Sequence, residues 1–206
     1  MPRKSRFILA VLLASLHLLL ACSDDIPAFR KLPQDAVILA FGDSLTYGTG
    51  ANPADSYPAV LEKLSGHKVI NAGVPGELSE QGLKRLPGLL QQHTPGLLIL
   101  CHAGNDLLRK KDLNHARSNL AGMIALAQER KIDVILLGVP QPGLFLNSSK
   151  IYREVAGQTR VLLLEDLVPE ILGDASLKSD PVHPNKAGYR KIAEGVLQTM
   201  TEAGAL

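Results

Sequence analysis

Tryptophan is absent from this 206-residue chain, and aromatic residues together make up only 4 % of it. That scarcity argues against a stacking platform for bases or sugars, and it leaves the core to aliphatic side chains. A strong excess of charge of one sign is missing as well. The formal net charge is +2, and removing Arg3, Lys4 and Arg6 with the leader described below changes it to −1. The apparent basicity therefore belongs to the leader, and it gives no reason to expect nucleic acid as a partner. Cysteine occurs only at Cys22 and Cys101, too few for a disulfide framework. No apolar run reaches the roughly 20 residues of a membrane-spanning helix, because the run from Phe7 to Leu20 stops short. No internal repeat is visible. The length suits one well-cored domain, and 46 % hydrophobic with 20 % charged residues is ordinary globular composition.

The first residues are organised for export. A basic start at Arg3, Lys4 and Arg6 precedes the apolar run, and small residues follow at Ala21 and Cys22, the layout of a secretory signal peptide. Leu19-Leu20-Ala21-Cys22 resembles a lipobox, which implies lipidation of Cys22 as the first mature residue. A disulfide between Cys22 and Cys101 is the rival reading, weakened because Cys101 lies inside an apolar run. The expected organisation is a signal peptide over 1–21, a lipidated tether over 22–34 and one domain over 35–206. Ser23 after the lipobox cysteine resembles the outer-membrane pattern. The expected location is thus the outer membrane of a bacterial envelope, facing the periplasm.

From Ala36 onward, strand-like and helix-like stretches alternate. Short apolar runs at Ala36 to Phe41, Lys68 to Ile70, Gly96 to Cys101, Val134 to Val139 and Val161 to Leu164 read as doubly buried parallel strands. Between them, Tyr57 to Leu64, Ser79 to Gln92, Asn114 to Arg130 and Asn185 to Ala203 have helical spacing, with Pro87 expected to split the second of these in two. This rhythm predicts an α/β fold with a parallel sheet covered on both faces. In such sheets ligands sit beyond the carboxyl ends of the strands.

The loops at those ends carry Gly42-Asp43-Ser44-Leu45, then Asn71-Ala72-Gly73 and Gly76, then Gly104-Asn105-Asp106. Asp180-Pro181-Val182-His183 precedes the last helix. Each alone reads as a turn or a helix cap. Together they hold every part of an acyl-transfer site: Ser44 as nucleophile, His183 as base, and Asp180 to orient the imidazole. The N–H groups of Ser44 and Gly76 and the amide of Asn105 are the candidate oxyanion donors.

These four blocks, in this order from Ala36 to about Gly204, resemble the SGNH/GDSL hydrolases. The stretch Asn71 to Pro87 is most similar to the periplasmic thioesterase/lysophospholipase (arylesterase) branch. The resemblance implies a three-layer, flavodoxin-like fold with five parallel strands, and no metal or organic cofactor. It implies a serine esterase acting on small acyl esters or thioesters through an acyl-enzyme. By it the oxyanion glycine is Gly76, with Gly73 as competitor. The family's third block is Gly-x-Asn-Asp, where this chain has Ala103-Gly104-Asn105-Asp106, so backbone freedom at Ala103 is reduced. The region Pro140 to Gln158 is expected to form part of an acyl-binding wall. Leu107, Leu108, Leu144 and Phe145 either line that groove or simply pack. Arg109, Lys110 and Lys111 read as a solvated basic turn or as a contact for anionic head groups. Two other readings stay open: an O-acetyl esterase on envelope glycans, and a lipoprotein that only binds. A monomer is expected.

Overall fold

A computed structural model describes residues 28–141 and 146–206. The signal peptide, Cys22 and the groove candidates Leu144 and Phe145 lie outside the described residues. Five strands form one sheet: β1 (Val37–Gly42), β2 (Lys68–Gly73), β3 (Leu97–Cys101), β4 (Asp133–Leu137) and β5 (Leu162–Leu164). Their order is β2-β1-β3-β4-β5 and every pairing is parallel, with Gly42 level with Gly73 on one side and with Cys101 on the other. The apolar runs are continuous because the central strands are covered on both sides. All of β3, and β1 from Ile38 onward, are buried.

The helices are α1 (Ser44–Tyr47), α2 (Tyr57–Ser65), α3 (Ser79–His93), α4 (Gly104–Leu108), α5 (Leu113–Gln128), α6 (Lys150–Thr159), α7 (Leu167–Gly173) and α8 (Lys186–Glu202). Right-handed crossovers send α2 to one face of the sheet and α3, α5 and α6 to the other, because the chain reverses direction after β2. The packing agrees: α2 and α7 contact α8, while α5 contacts α3 and α6. The reversal puts the topological switch between β1 and β3, so the crevice for a ligand opens outside the ends of those two strands. The expected flavodoxin-like architecture is the one observed.

Two local expectations need correction. Pro87 does not divide α3, which runs unbroken from Ser79 to His93. Proline removes one backbone bond, yet Gly82, Leu86 and Leu90 stay buried along one stripe on both sides of it, and tertiary packing holds the helix through the defect. The segment expected as a tether over 22–34 is also docked on the domain for part of its length. The N–H of Phe29 donates to the Ala203 carbonyl (2.7 Å), that of Leu32 to the Ala205 carbonyl (2.8 Å), and Leu32 is buried. Residues 29 to 32 are therefore docked on the domain beside the end of α8.

Candidate active site

Ser44 stands one residue beyond the end of β1, at the first position of α1. Asp43 caps that turn, its Oδ1 accepting from the Leu45 N–H at 3.2 Å. The Ser44 N–H, one of the orphan donors of a helix start, has no partner among the described residues. His183 arrives from a loop that a single carboxylate shapes. Asp180 Oδ1 accepts from the N–H groups of Val182 and His183, each at 2.9 Å, while Oδ2 accepts from His183 Nδ1 at 2.8 Å. The Asp-x-x-His spacing thus lets one side chain organise both the turn and the ring. A carboxylate only accepts, so Nδ1 carries the proton, and the Nε2 lone pair is left facing the Ser44 hydroxyl at 3.0 Å. Burial works against ionisation of Asp180, but the Val182 and His183 bonds outweigh it and hold the carboxyl below its ordinary value. The structure brings Ser44, His183 and Asp180 into one hydrogen-bonded chain, 139 residues apart in sequence at its widest step.

The two glycines compared above differ in surroundings. The Gly73 N–H is occupied by Asn71 Oδ1 at 3.0 Å, and a Cβ at Gly73 would lie 2.1 Å from the Tyr47 nitrogen. Gly73 is a packing glycine. Gly76 has φ +79 in a Val74-Pro75-Gly76-Glu77 turn closed by the Glu77 N–H on the Val74 carbonyl at 3.2 Å. Proline at the second position and a left-handed glycine at the third fit a type II turn. The Gly76 N–H has no partner among the described residues, and its carbonyl accepts from Arg109 Nη2 at 3.1 Å.

Asn105 lies at the start of α4, with its Nδ2 protons directed to Asp43 Oδ2 (3.3 Å) and the Glu77 carbonyl (3.2 Å). Both contacts are long, so a charged oxygen in the adjacent cleft can compete for either. Ala103, which turns the chain into α4, sits at φ +74, the left-handed conformation that glycine adopts without cost. Asp106 faces away from the cleft. Its carboxylate takes the Ser79 N–H (2.9 Å) and hydroxyl (2.8 Å), closing the start of α3.

Beneath these loops lies a cluster that sequence reasoning missed. Glu77 Oε2 accepts from Arg85 Nη2 (2.6 Å) and His102 Nε2 (3.0 Å), and Oε1 accepts from Arg85 Nε (2.8 Å). Arg85 also donates to the Ala72 carbonyl at 3.0 Å and lies over the Phe41 ring. His102 Nδ1 accepts from the Ala103 N–H at 2.8 Å, so its proton resides on Nε2. The cluster ties the ends of β2 and β3 together beside Asn105. Burial alone raises the Glu77 pKa, but bonds from His102 and Arg85 overcome it and bring it to about 2. No spacing rule joins Glu77, Arg85 and His102. Only the position of Glu77 next to Gly76 offers a hint.

Asp43, Ser44, Asn105 and His183 line a cleft of about 250 Å³ whose other walls include Leu108, Val139, Leu146, Leu172 and Val182. Of the groove candidates, Leu108 lines it and Leu107 is buried in the core. The expected wall over Pro140 to Gln158 is narrower than that range. Val139, Pro140 and Leu146 face the cleft, whereas α6 packs on α5 and the Tyr152 hydroxyl donates to the His102 carbonyl at 2.8 Å. Among the described residues, no group of three or more His, Cys, Asp or Glu side chains is arranged to hold a metal ion.

Known proteins resemble this chain in sequence and fold. Residues 40–191 match the profile of the GDSL-like Lipase/Acylhydrolase family. The chain is 29 % identical over 174 residues to Esterase TesA of Pseudomonas aeruginosa, covering 79 % of this chain and 87 % of that protein. It is 30 % identical over 174 residues to Thioesterase 1/protease 1/lysophospholipase L1 of Escherichia coli, covering 81 % and 83 %. The crystal structure of TesA superposes with a TM-score of 0.75 at 29 % identity, over 81 % of this chain and 99 % of that one. AlinE4, an SGNH-hydrolase family esterase, gives 0.62 at 32 % identity over 84 % and 98 %. With the profile spanning most of the domain and the fold matching as well, the chain belongs to the GDSL-like lipase/acylhydrolase family and is an SGNH-type esterase.

Proposed function

We propose that Ser44 attacks the carbonyl of a small acyl ester or thioester while His183 Nε2 takes its proton. Asp180 holds the ring and stabilises the imidazolium. The negative oxygen of the tetrahedral intermediate is received by the N–H groups of Ser44 and Gly76 and by the Asn105 amide, which gives up one of its long bonds. Collapse expels the alcohol or thiol, protonated by His183, and leaves an acyl-Ser44 ester. Water activated by the same imidazole then releases the acid. The observation that carries this is the 2.8 Å and 3.0 Å pair of contacts running from Asp180 through His183 to the Ser44 hydroxyl. The aliphatic cleft walls favour an acyl chain over a glycan as the group held there. A chain-length series of chromogenic esters and acyl thioesters tests it. Ser44→Ala and His183→Ala should each lower kcat by about 10⁴-fold or more in a folded protein, and near-normal turnover in either would remove that residue from the chemistry.

We also propose that the chain is exported and lipidated on Cys22, as the leader supports. Helix α8 starts next to the His183 loop and ends at the docked segment Phe29–Leu32. Its 17 residues span about 25 Å. The described chain therefore enters the domain at the end of α8 away from the cleft. Palmitate labelling that persists in Cys22→Ser would refute the anchor.

A further inference from the structure

The exposed apolar side chains are concentrated on one edge. Among the described residues five large ones stand out of the surface: Tyr47 (52 % exposed), Leu64 (38 %), Val74 (40 %), Leu108 (47 %) and Val182 (36 %). Leu64 is on α2, but the other four occupy the loops around the site. Tyr47 ends α1, Val74 follows β2, Leu108 ends α4, and Val182 precedes His183. Leu108 and Val182 line the mouth of the cleft itself. A monomeric ester entering the cleft has no need of exposed Tyr47 and Val74, and leaving such groups in water is unfavourable.

The basic run Arg109-Lys110-Lys111 begins one residue after Leu108, and all three residues are exposed. They are fixed in place. The Arg109 N–H bonds the Asn105 carbonyl (3.0 Å), the Lys110 N–H that of Leu107 (3.1 Å), and the Lys111 N–H that of Asp106 (2.8 Å). Lys110 sits at φ +50, and the turn leaves both lysines exposed next to Leu108 in the chain. Asp112 accepts from the Asn114 N–H at the start of α5, and Asp180 serves His183.

We infer that this rim is a docking surface for an anionic lipid aggregate, the four apolar side chains entering at head-group level and the lysines facing phosphates. This deepens the reading of the cleft as an acyl-ester site and rests on it. Charge complementarity selects the occupant: separate apolar points around an opening, flanked by fixed cations, match a fluid negative interface.

The test uses the full-length chain in non-ionic detergent micelles carrying a long-chain acyl ester, with and without phosphatidylglycerol. A short, monomeric chromogenic ester is assayed in parallel. Phosphatidylglycerol should lower the apparent KM of the wild type for the micellar substrate at low salt, and high salt should reverse the effect. A basic side chain near an anionic surface contributes about five-fold in affinity, so Lys110→Gln/Lys111→Gln should lose roughly 25-fold of that advantage. Its kcat/KM for the monomeric ester should stay within about two-fold of wild type. Tyr47→Ser/Val74→Ser should lose a salt-independent share instead. An equal lipid effect in wild type and lysine variant, or no lipid effect in the wild type, overturns the proposal. Should the monomeric ester not be cleaved, the esterase reading fails separately. Cosedimentation of Ser44→Ala/Cys22→Ser, which carries no lipid of its own, with phosphatidylglycerol vesicles, with and without the two lysine changes, then decides the docking surface: a loss on removing the lysines supports it, and equal binding overturns it.

Discussion

Replacing Glu77 by glutamine removes one charge from the buried cluster beneath the catalytic loops and barely alters its shape. The carboxylate is nearly inaccessible and receives three hydrogen bonds, two from Arg85 and one from His102. Its pKa lies at about 2 against an ordinary 4.5. Because the folded value is the lower one, the linked stability is fully present above pH 4.5 and disappears as pH falls through 2. A gap of about 2.5 pH units corresponds to about 3 kcal/mol at neutral pH, of which roughly 1 kcal/mol remains at pH 3. The glutamine amide also faces Arg85 donor to donor, which adds a cost that does not depend on pH. Urea unfolding of wild type and Glu77→Gln at pH 7 and pH 3 separates the two parts. The stability difference should shrink by close to 2 kcal/mol on acidification. A difference that stays constant across that range would refute the coupling between Glu77 ionisation and folding.

Other substitutions test the neighbouring parts. Asn105→Ala should lower kcat by about 10²- to 10³-fold with little change in KM, as expected for a donor used only in the transition state; an unchanged rate would exclude its amide from the oxyanion site. Asp180→Asn should lower kcat on the order of 10²- to 10⁴-fold by reversing the imidazole tautomer, measured with the same chromogenic ester, and full activity would mean that another group orients His183. The two glycines should part company in thermal unfolding. Gly73→Ala drives a methyl into the Tyr47 backbone and should cost about 3 kcal/mol or more. Gly76→Ala meets only the Arg109 guanidinium, at 3.4 Å, and should cost about 1 kcal/mol from its left-handed backbone. Equal losses would contradict the packing role of Gly73.

The parts of this molecule legible in its sequence are those governed by local pattern. Fully buried strands leave unbroken runs such as Leu97 to Cys101, and a parallel sheet places its chemistry at the strand ends, which points to Ser44 and Asn105, while His183 stands out in the segment before the last helix. Asp180 was legible because three residues suffice for one carboxylate to hold both the turn and the ring. What stayed hidden depends on tertiary meeting. Pro87 reads as a helix breaker until the burial of Leu86 and Leu90 is known. Helix α6 falls within the acyl wall expected over Pro140 to Gln158, although Ile151, Tyr152 and Val155 have helical spacing and turn inward. Glu77, Arg85 and His102 come from a turn, a helix and a strand end, and no separation along the chain foretells their convergence. The docking of Leu32 beside Ala205 joins the two ends of the domain and is equally invisible to local pattern.

The most direct measurement is covalent labelling with a serine-directed fluorophosphonate, followed by mass mapping of the adduct. A hydroxyl whose proton is drawn to His183 should take up one equivalent at Ser44, none in Ser44→Ala, and far more slowly in His183→Ala. An unlabelled wild type, or an adduct on another serine, would contradict the assignment of Ser44 as nucleophile.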